Sequence, residues 1–114
     1  MDHTMTKNPD SIPYNIWPAE ALRLAEREAA DSLGLTLFEL MQRAGEAAFQ
    51  LASCAYPASA HWLILCGHGN NGGDGFALLR LMTQRGVSCA GVLLANEDNL
   101  TGDAKTNHQR ALDC

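Results

Sequence analysis

The stretch LILCGHGNNGGDGFALLRLM, residues 63–82, constrains this chain most. An apolar run without alternation stops at Gly67, five glycines fall within the nine residues from Gly67 to Gly75, and helical spacing of apolar residues begins beyond them. A short, continuous apolar run fits a strand buried on both faces, as in a parallel sheet. A second such run, VSCAGVLLA, follows the helical pattern GFALLRLMTQRG, which Gly86 closes. Strand, helix and strand in that order predict an α/β fold with a right-handed crossover between parallel strands.

The flanking segments are helical. Residues 1–17 form a polar N-terminal arm, and Pro18 is suited to a helix's first turn. Leu22, Ala25, Ala29 and Leu33 then share a stripe that ends at Gly34. Thr36 stands three residues before Glu39, the spacing of a capping box. Leu37, Leu40, Met41, Ala44, Ala48 and Leu51 recur behind it as an apolar stripe, up to Tyr56-Pro57. Gly45, inside this helix, costs about 1 kcal/mol relative to alanine, which close packing against another backbone would offset. The last segment, TGDAKTNHQRALDC, opens a helix with Thr101 or Asp103 as its cap. Two strands make a poor parallel sheet, so the chain reads as the front part of a larger α/β domain.

Composition narrows the function. With 46% hydrophobic and 18% charged residues the 114-residue chain is globular. A net charge of −5 and scattered basic residues speak against nucleic acid or an acidic membrane as partner. The N-terminus has no apolar signal region and no segment is long enough to span a bilayer, so the cytoplasm is the expected compartment. Cys54, Cys66, Cys89 and Cys114 show no metal-binding spacing and read as buried, reduced thiols.

The glycine loop carries the chemistry. Gly67, Gly69 and Gly72 satisfy the G-x-G-x-x-G of dinucleotide-binding loops, although the acid expected near the end of the next strand is matched only late, by the stretch Asn96, Glu97 and Asp98. Gly73 and Gly75 add backbone freedom beyond that fingerprint. A Walker A loop is excluded, because the loop ends Gly-Asp-Gly-Phe rather than Gly-Lys-Ser/Thr. Asp74 is informative: a carboxylate at a helix N-terminus competes with phosphate. It suits a ligand hydroxyl or amide, or a cation, and the carboxamides of Asn70 and Asn71 add neutral oxygens fit for a weakly held monovalent ion. The structural alternatives are an N-cap role for Asp74 and left-handed turn conformations for the two asparagines. His61 and His68 read as structural and loop residues, Met41 and Met82 as core fillers.

At this loop the sequence resembles the NAD(P)H-hydrate epimerase family. CGHGNNGGDG, residues 66–75, is similar to the family's signature, LRLAEREAADSLGL to its opening helix, and LMQRAGEAA to its L-M-x-x-A-G stretch. The arm and helices also resemble bifunctional members, in which an epimerase domain precedes an ADP- or ATP-dependent dehydratase domain. The resemblance implies a Rossmann-like three-layer α-β-α sandwich, here truncated, with residues 18–114 as the N-terminal part of the epimerase domain. It implies epimerisation of the R and S hydrates of NADH and NADPH, so that a stereospecific dehydratase can consume both. It carries substrate binding to Asn70, Asn71, Gly72, Gly73 and Asp74, and one potassium ligand to Asn71. It implies a homodimer or higher homo-oligomer in the full-length protein. The family's other potassium ligands, second substrate loop and proton-transfer aspartate are expected after Cys114, leaving the catalytic residue unassigned and this chain inactive by itself. Two other readings stand beside it: a nicotinamide-dinucleotide-binding oxidoreductase domain, which leaves Asn70, Asn71 and Asp74 unexplained, and a non-catalytic scaffold, which would show partner binding without turnover.

Overall fold

A computed structural model describes residues 17–114; the polar arm, but for Trp17, lies outside the described residues. The chain divides into two compact units, one ending at Gly34 and one running from Leu35 to Cys114. The first contains helix α1 (Ala19–Leu33), which Pro18 precedes and Gly34 closes at φ 67°, its N–H returning to the carbonyls of Ala30 and Asp31. That left-handed cap is cheap only for a residue without a Cβ. The expected stripe is not covered: Leu22, Ala25, Ala29 and Leu33 are exposed, and Ala30 is the buried residue of the helix.

The second unit holds α2 (Leu37–Ala55), β1 (Trp62–Cys66), α3 (Asn70–Gln84), β2 (Cys89–Leu93), a 3₁₀ turn (Glu97–Asn99) and α4 (Gly102–Leu112). The capping box opens α2 as expected: Thr36 Oγ1 accepts from the Glu39 N–H at 3.1 Å, and Glu39 Oε2 accepts from the Thr36 N–H at 2.7 Å. Thr101 precedes α4 but makes no side-chain cap bond.

The strands pair in parallel, Trp62 opposite Cys89 through Cys66 opposite Leu93, with α3 as the crossover. Helix α3 is the hub, packing on both strands and against both α2 and α4. Ile64, Cys66, Phe76, Met82 and Leu100 form the core. Phe76 and Met82, at 3% and 1% exposure, each contribute about 1.5–3 kcal/mol by burial. Gly91 of β2 makes room for Leu79, whose Cδ2 takes the place a Cβ would need.

Among the described residues the strands are covered on one face, not two. Ile64 and Cys66 point into the core, while Leu63, Leu65, Val92 and Leu94 stay exposed. Side chains alternate along a strand, and all the packing on the sheet among described residues comes from α3 and the elements around it. An unbroken apolar run reports suitability for two covered faces, not the presence of both covers.

The buried face of α2 also differs from expectation. Met41 and Gly45 are buried and Phe38, Phe49 and Ala52 half-buried, whereas Leu37, Ala44, Ala48 and Leu51 are exposed. The cause is Gly45. A Cβ there would lie 2.8 Å from Ala77 Cβ and 3.1 Å from the Leu78 nitrogen, so α2 and α3 meet backbone to backbone along the glycine's side. Tyr56 and Trp62 stack edge to face at 5.2 Å near the foot of β1.

Candidate functional site

The glycine stretch lies at the carboxyl end of β1, where open α/β sheets bind ligands. The ladder continues one step past the strand, the Leu94 N–H donating to the Cys66 carbonyl at 2.8 Å. The chain then turns through Gly67, His68 and Gly69. Helix α3 begins at Asn70, with Gly69 as its N-cap and no capping side chain. Its first intrahelical bond runs from the Gly73 N–H to the Gly69 carbonyl at 3.1 Å. The amides before it have no carbonyl one turn back within the helix, the usual state of a helix N-terminus.

This corrects one expectation and rules out two structural alternatives. The helix starts at Asn70 rather than at Gly75, so Asn70–Asp74 is a helical turn and not a loop. Asp74 is its fifth residue and therefore not its N-cap. Asn70 and Asn71 are helical, and no described residue other than glycine has positive φ.

The glycines act through closeness rather than freedom. Gly72 passes directly over Gly67, whose carbonyl oxygen occupies the position of a Gly72 Cβ. A Cβ at Gly73 would meet Met41 Sδ and Cε at 2.7 Å and Ala104 Cα at 3.1 Å. At Gly75 it would meet Cys66 Sγ at 2.7 Å. Gly67 and Gly69, by contrast, have open space where a Cβ would go, and neither adopts positive φ. The chain thus folds back tightly from strand to helix because Gly72, Gly73 and Gly75 carry no side chain.

The five residues divide accordingly. Gly72 and Gly73 are buried and contribute backbone; Asn70 and Asn71 are exposed, and Asp74 is half-buried. Asp74 follows Asn70 by four residues and Asn71 by three, the separations that share one helix face. Two carboxamides and a carboxylate therefore sit on one side of the turn, able to donate to and accept from a ligand rich in hydroxyls and amides. Asn96–Asp98, the late stand-in for a dinucleotide acid, falls in the 3₁₀ turn beyond β2, where Asn96 Oδ1 accepts from the Asp98 N–H at 3.1 Å and Glu97 Oε1 lies 3.9 Å from His108 Nε2. His68 is exposed in the turn, and His61 Nδ1 pairs with Ser88 Oγ at 2.7 Å, away from it.

No group of three or more His, Cys, Asp or Glu side chains capable of holding a metal ion occurs among the described residues. What the turn offers a cation is the exposed carboxamides of Asn70 and Asn71, whose neutral oxygens suit a hard, weakly bound ion. A helix N-terminus disfavours positive charge, so further oxygens would have to outweigh it.

The thiols differ from expectation. All four cysteines are free, but Cys54 and Cys114 are exposed, Cys89 is half-buried and only Cys66 is buried. Burial raises the Cys66 thiol's pKa.

Sequence reasoning overlooked the residues beneath the turn. Asn107 of α4 is 1% exposed. Its Oδ1 accepts from Gln42 Nε2 at 2.8 Å and its Nδ2 donates to Met41 Sδ at 2.9 Å. The signal was available: Asn107 lies three residues after Ala104 and four before Ala111, a polar residue set into an apolar helical stripe.

A parallel crossover whose helix opens on a glycine turn, with polar side chains at the strand's carboxyl end, is the arrangement of a Rossmann-like α/β domain. The chain belongs to the YjeF-related protein N-terminus family, whose model matches residues 37–114. It is 60% identical over 98 residues to the bifunctional NAD(P)H-hydrate repair enzyme Nnr of Escherichia coli, an alignment covering 86% of this chain and 19% of that protein. It is 40% identical over 102 residues to the NAD(P)H-hydrate epimerase of Rhodobacter capsulatus, covering 83% of this chain and 48% of the relative. A bifunctional repair enzyme of Vibrio cholerae is 40% identical over 99 residues. The chain therefore spans about a fifth of the bifunctional enzyme of Escherichia coli and about half of the epimerase.

Proposed function

We propose that this chain carries the substrate-binding turn of an NAD(P)H-hydrate epimerase, an isomerase that interconverts the R and S hydrates of NADH and NADPH. The observation that carries the reading is the turn Asn70–Asp74 at the carboxyl end of β1, in a chain similar to relatives named for this repair reaction. The hydrated cofactor is a dinucleotide rich in hydroxyl and amide groups. Asn70, Asn71 and Asp74 bind such groups, while the close-packed glycines hold their backbone at the strand end. Asn71 contributes one oxygen to a potassium ion whose charge offsets that of the ligand's pyrophosphate. The bifunctional names of two relatives support a second repair activity in the whole protein, which we read as the ADP- or ATP-dependent dehydratase that the resemblance implies.

Proton transfer is assigned to no described residue. Epimerisation needs an acid–base group within about 3 Å of the proton it moves. Asp74 is given to binding here. The reading further includes self-association, which the exposed Leu22 and Leu33 of α1 support, and a cytoplasmic location, with which four free thiols agree. No described helix is long and apolar enough to cross a membrane.

The test supplies NADPH hydrate of one configuration and follows the other epimer with a stereospecific dehydratase. A protein that continues beyond Cys114 as the relatives do should convert it well above the spontaneous rate. The 114-residue chain by itself should bind the hydrate without turnover. No conversion by the longer protein would overturn the activity. Turnover by the short chain would move the catalytic role to Asp74 or His68.

A further inference from the structure

The carboxamide of Asn107 is the one polar side chain among the buried described residues, and it lies beside the glycine turn rather than in it. Both ends of the group are engaged. Gln42 of α2 donates to its oxygen at 2.8 Å, and its nitrogen donates to the Met41 sulfur at 2.9 Å. Met41 is itself 6% exposed, and its sulfur and methyl group stand where a Gly73 side chain would be. Ala104 of α4 closes on the same space, its Cα 3.1 Å from that position. Gly73 thus packs against a thioether and a helix backbone, and Asn107 fixes that thioether.

A flexible methionine is a poor spacer unless something holds its rotamer, because its three rotatable bonds adapt to any gap. A hydrogen bond from a buried amide to the sulfur removes that freedom. An apolar side chain of similar volume would fill the space but would leave the half-buried Gln42 Nε2 without its acceptor. The amide adds direction, since it ties α4 to α2 across the point where α3 begins.

We infer that Asn107 is a positioning residue: acting through Met41 and Gly73, it sets where the Asn70–Asp74 turn presents its side chains. The inference rests on the reading of that turn as the hydrate-binding element. It does not place Asn107 against the ligand.

The test compares Asn107→Leu and Met41→Leu with the parent chain. Met41→Leu conserves volume, which cores tolerate best, and removes the sulfur acceptor together with the methyl group beside Gly73; it decides the matter should Asn107→Leu fail to fold. Two measurements are made: amide hydrogen exchange along α3, and Kd for NADPH hydrate. Positioning predicts that exchange at Gly72, Gly73 and Asp74 speeds about tenfold relative to Leu81–Gln84 in the same helix, a local opening rather than a global one. It also predicts a Kd raised about tenfold. Exchange accelerated equally along the whole of α3 would reduce Asn107 to a stability role and overturn the inference. So would a Kd unchanged in the face of local loosening. Failure of the parent chain to bind hydrate would overturn the functional reading and with it the affinity part of the inference. The exchange pattern, which needs no ligand, would still decide whether Asn107 positions the turn.

Discussion

Gly72→Ala puts the close-packed turn to the hardest test. The added Cβ would fall on the Gly67 carbonyl oxygen, and also 2.6 Å from the Gly67 carbonyl carbon and 2.9 Å from its nitrogen. All three are backbone atoms, so no rotamer change relieves the overlap, and the chain must move away from the end of β1. Overpacking a tight site costs about 1–3 kcal/mol, and the rigid neighbours put this case at the upper end. Alanine gains back at most about 1 kcal/mol of helix propensity. The net loss is then about 2 kcal/mol. At about 4–8 °C per kcal/mol for a domain of this size, Tm should fall by about 8–16 °C. Gly67→Ala is the control: nothing lies within 4 Å of its Cβ position and its φ is not positive. It should stay within about 0.5 kcal/mol of the parent or gain slightly, through a stiffer unfolded chain. Thermal melts followed by circular dichroism at 222 nm read both variants. Equal Tm values for the two would refute the close approach of Gly72 to Gly67, and with it the argument that these glycines serve proximity.

Asp74→Asn should weaken binding of NADPH hydrate about tenfold, as expected for loss of a charged hydrogen-bond acceptor, with the helical signal retained; calorimetric titration checks it, and an unchanged Kd would remove Asp74 from the binding set. Thr36→Ala breaks both bonds of the capping box and should cost about 1 kcal/mol, read from denaturant midpoints; a variant as stable as the parent would show that the box holds little. The raised pKa of Cys66 means that folding favours its neutral thiol. Its contribution to stability is therefore full below the unfolded thiol's ordinary 9.0 and is lost as pH rises through the higher folded value. Thiol-labelling kinetics at pH 8 should find Cys54 and Cys114 reacting fast and Cys66 only on unfolding; early labelling of Cys66 would contradict its burial.

What the sequence by itself determined was local. The order of elements, the capping box at Thr36 and Glu39, the glycine stops at Gly34 and Gly86, and the parallel crossover follow from chemistry within a few residues, which the chain carries wherever it goes. The turn Asn70–Asp74 was equally legible as a candidate site, because glycines, amides and an acid at a strand end are a local pattern. Its start was misplaced by several residues, since glycine's poor helix propensity argued for a loop; packing of Gly72, Gly73 and Gly75 against Gly67, Met41, Ala104 and Cys66 overrides that propensity. Only the tertiary structure decided which face of α2 is buried, because both faces are apolar and the choice falls to the Gly45 contact with α3. Only it brought Asn107 beneath Gly73 by way of Met41, residues 66 positions apart in the chain. Periodicity records what a face can bury, whereas the identity of what buries it is a property of chain segments far apart in sequence.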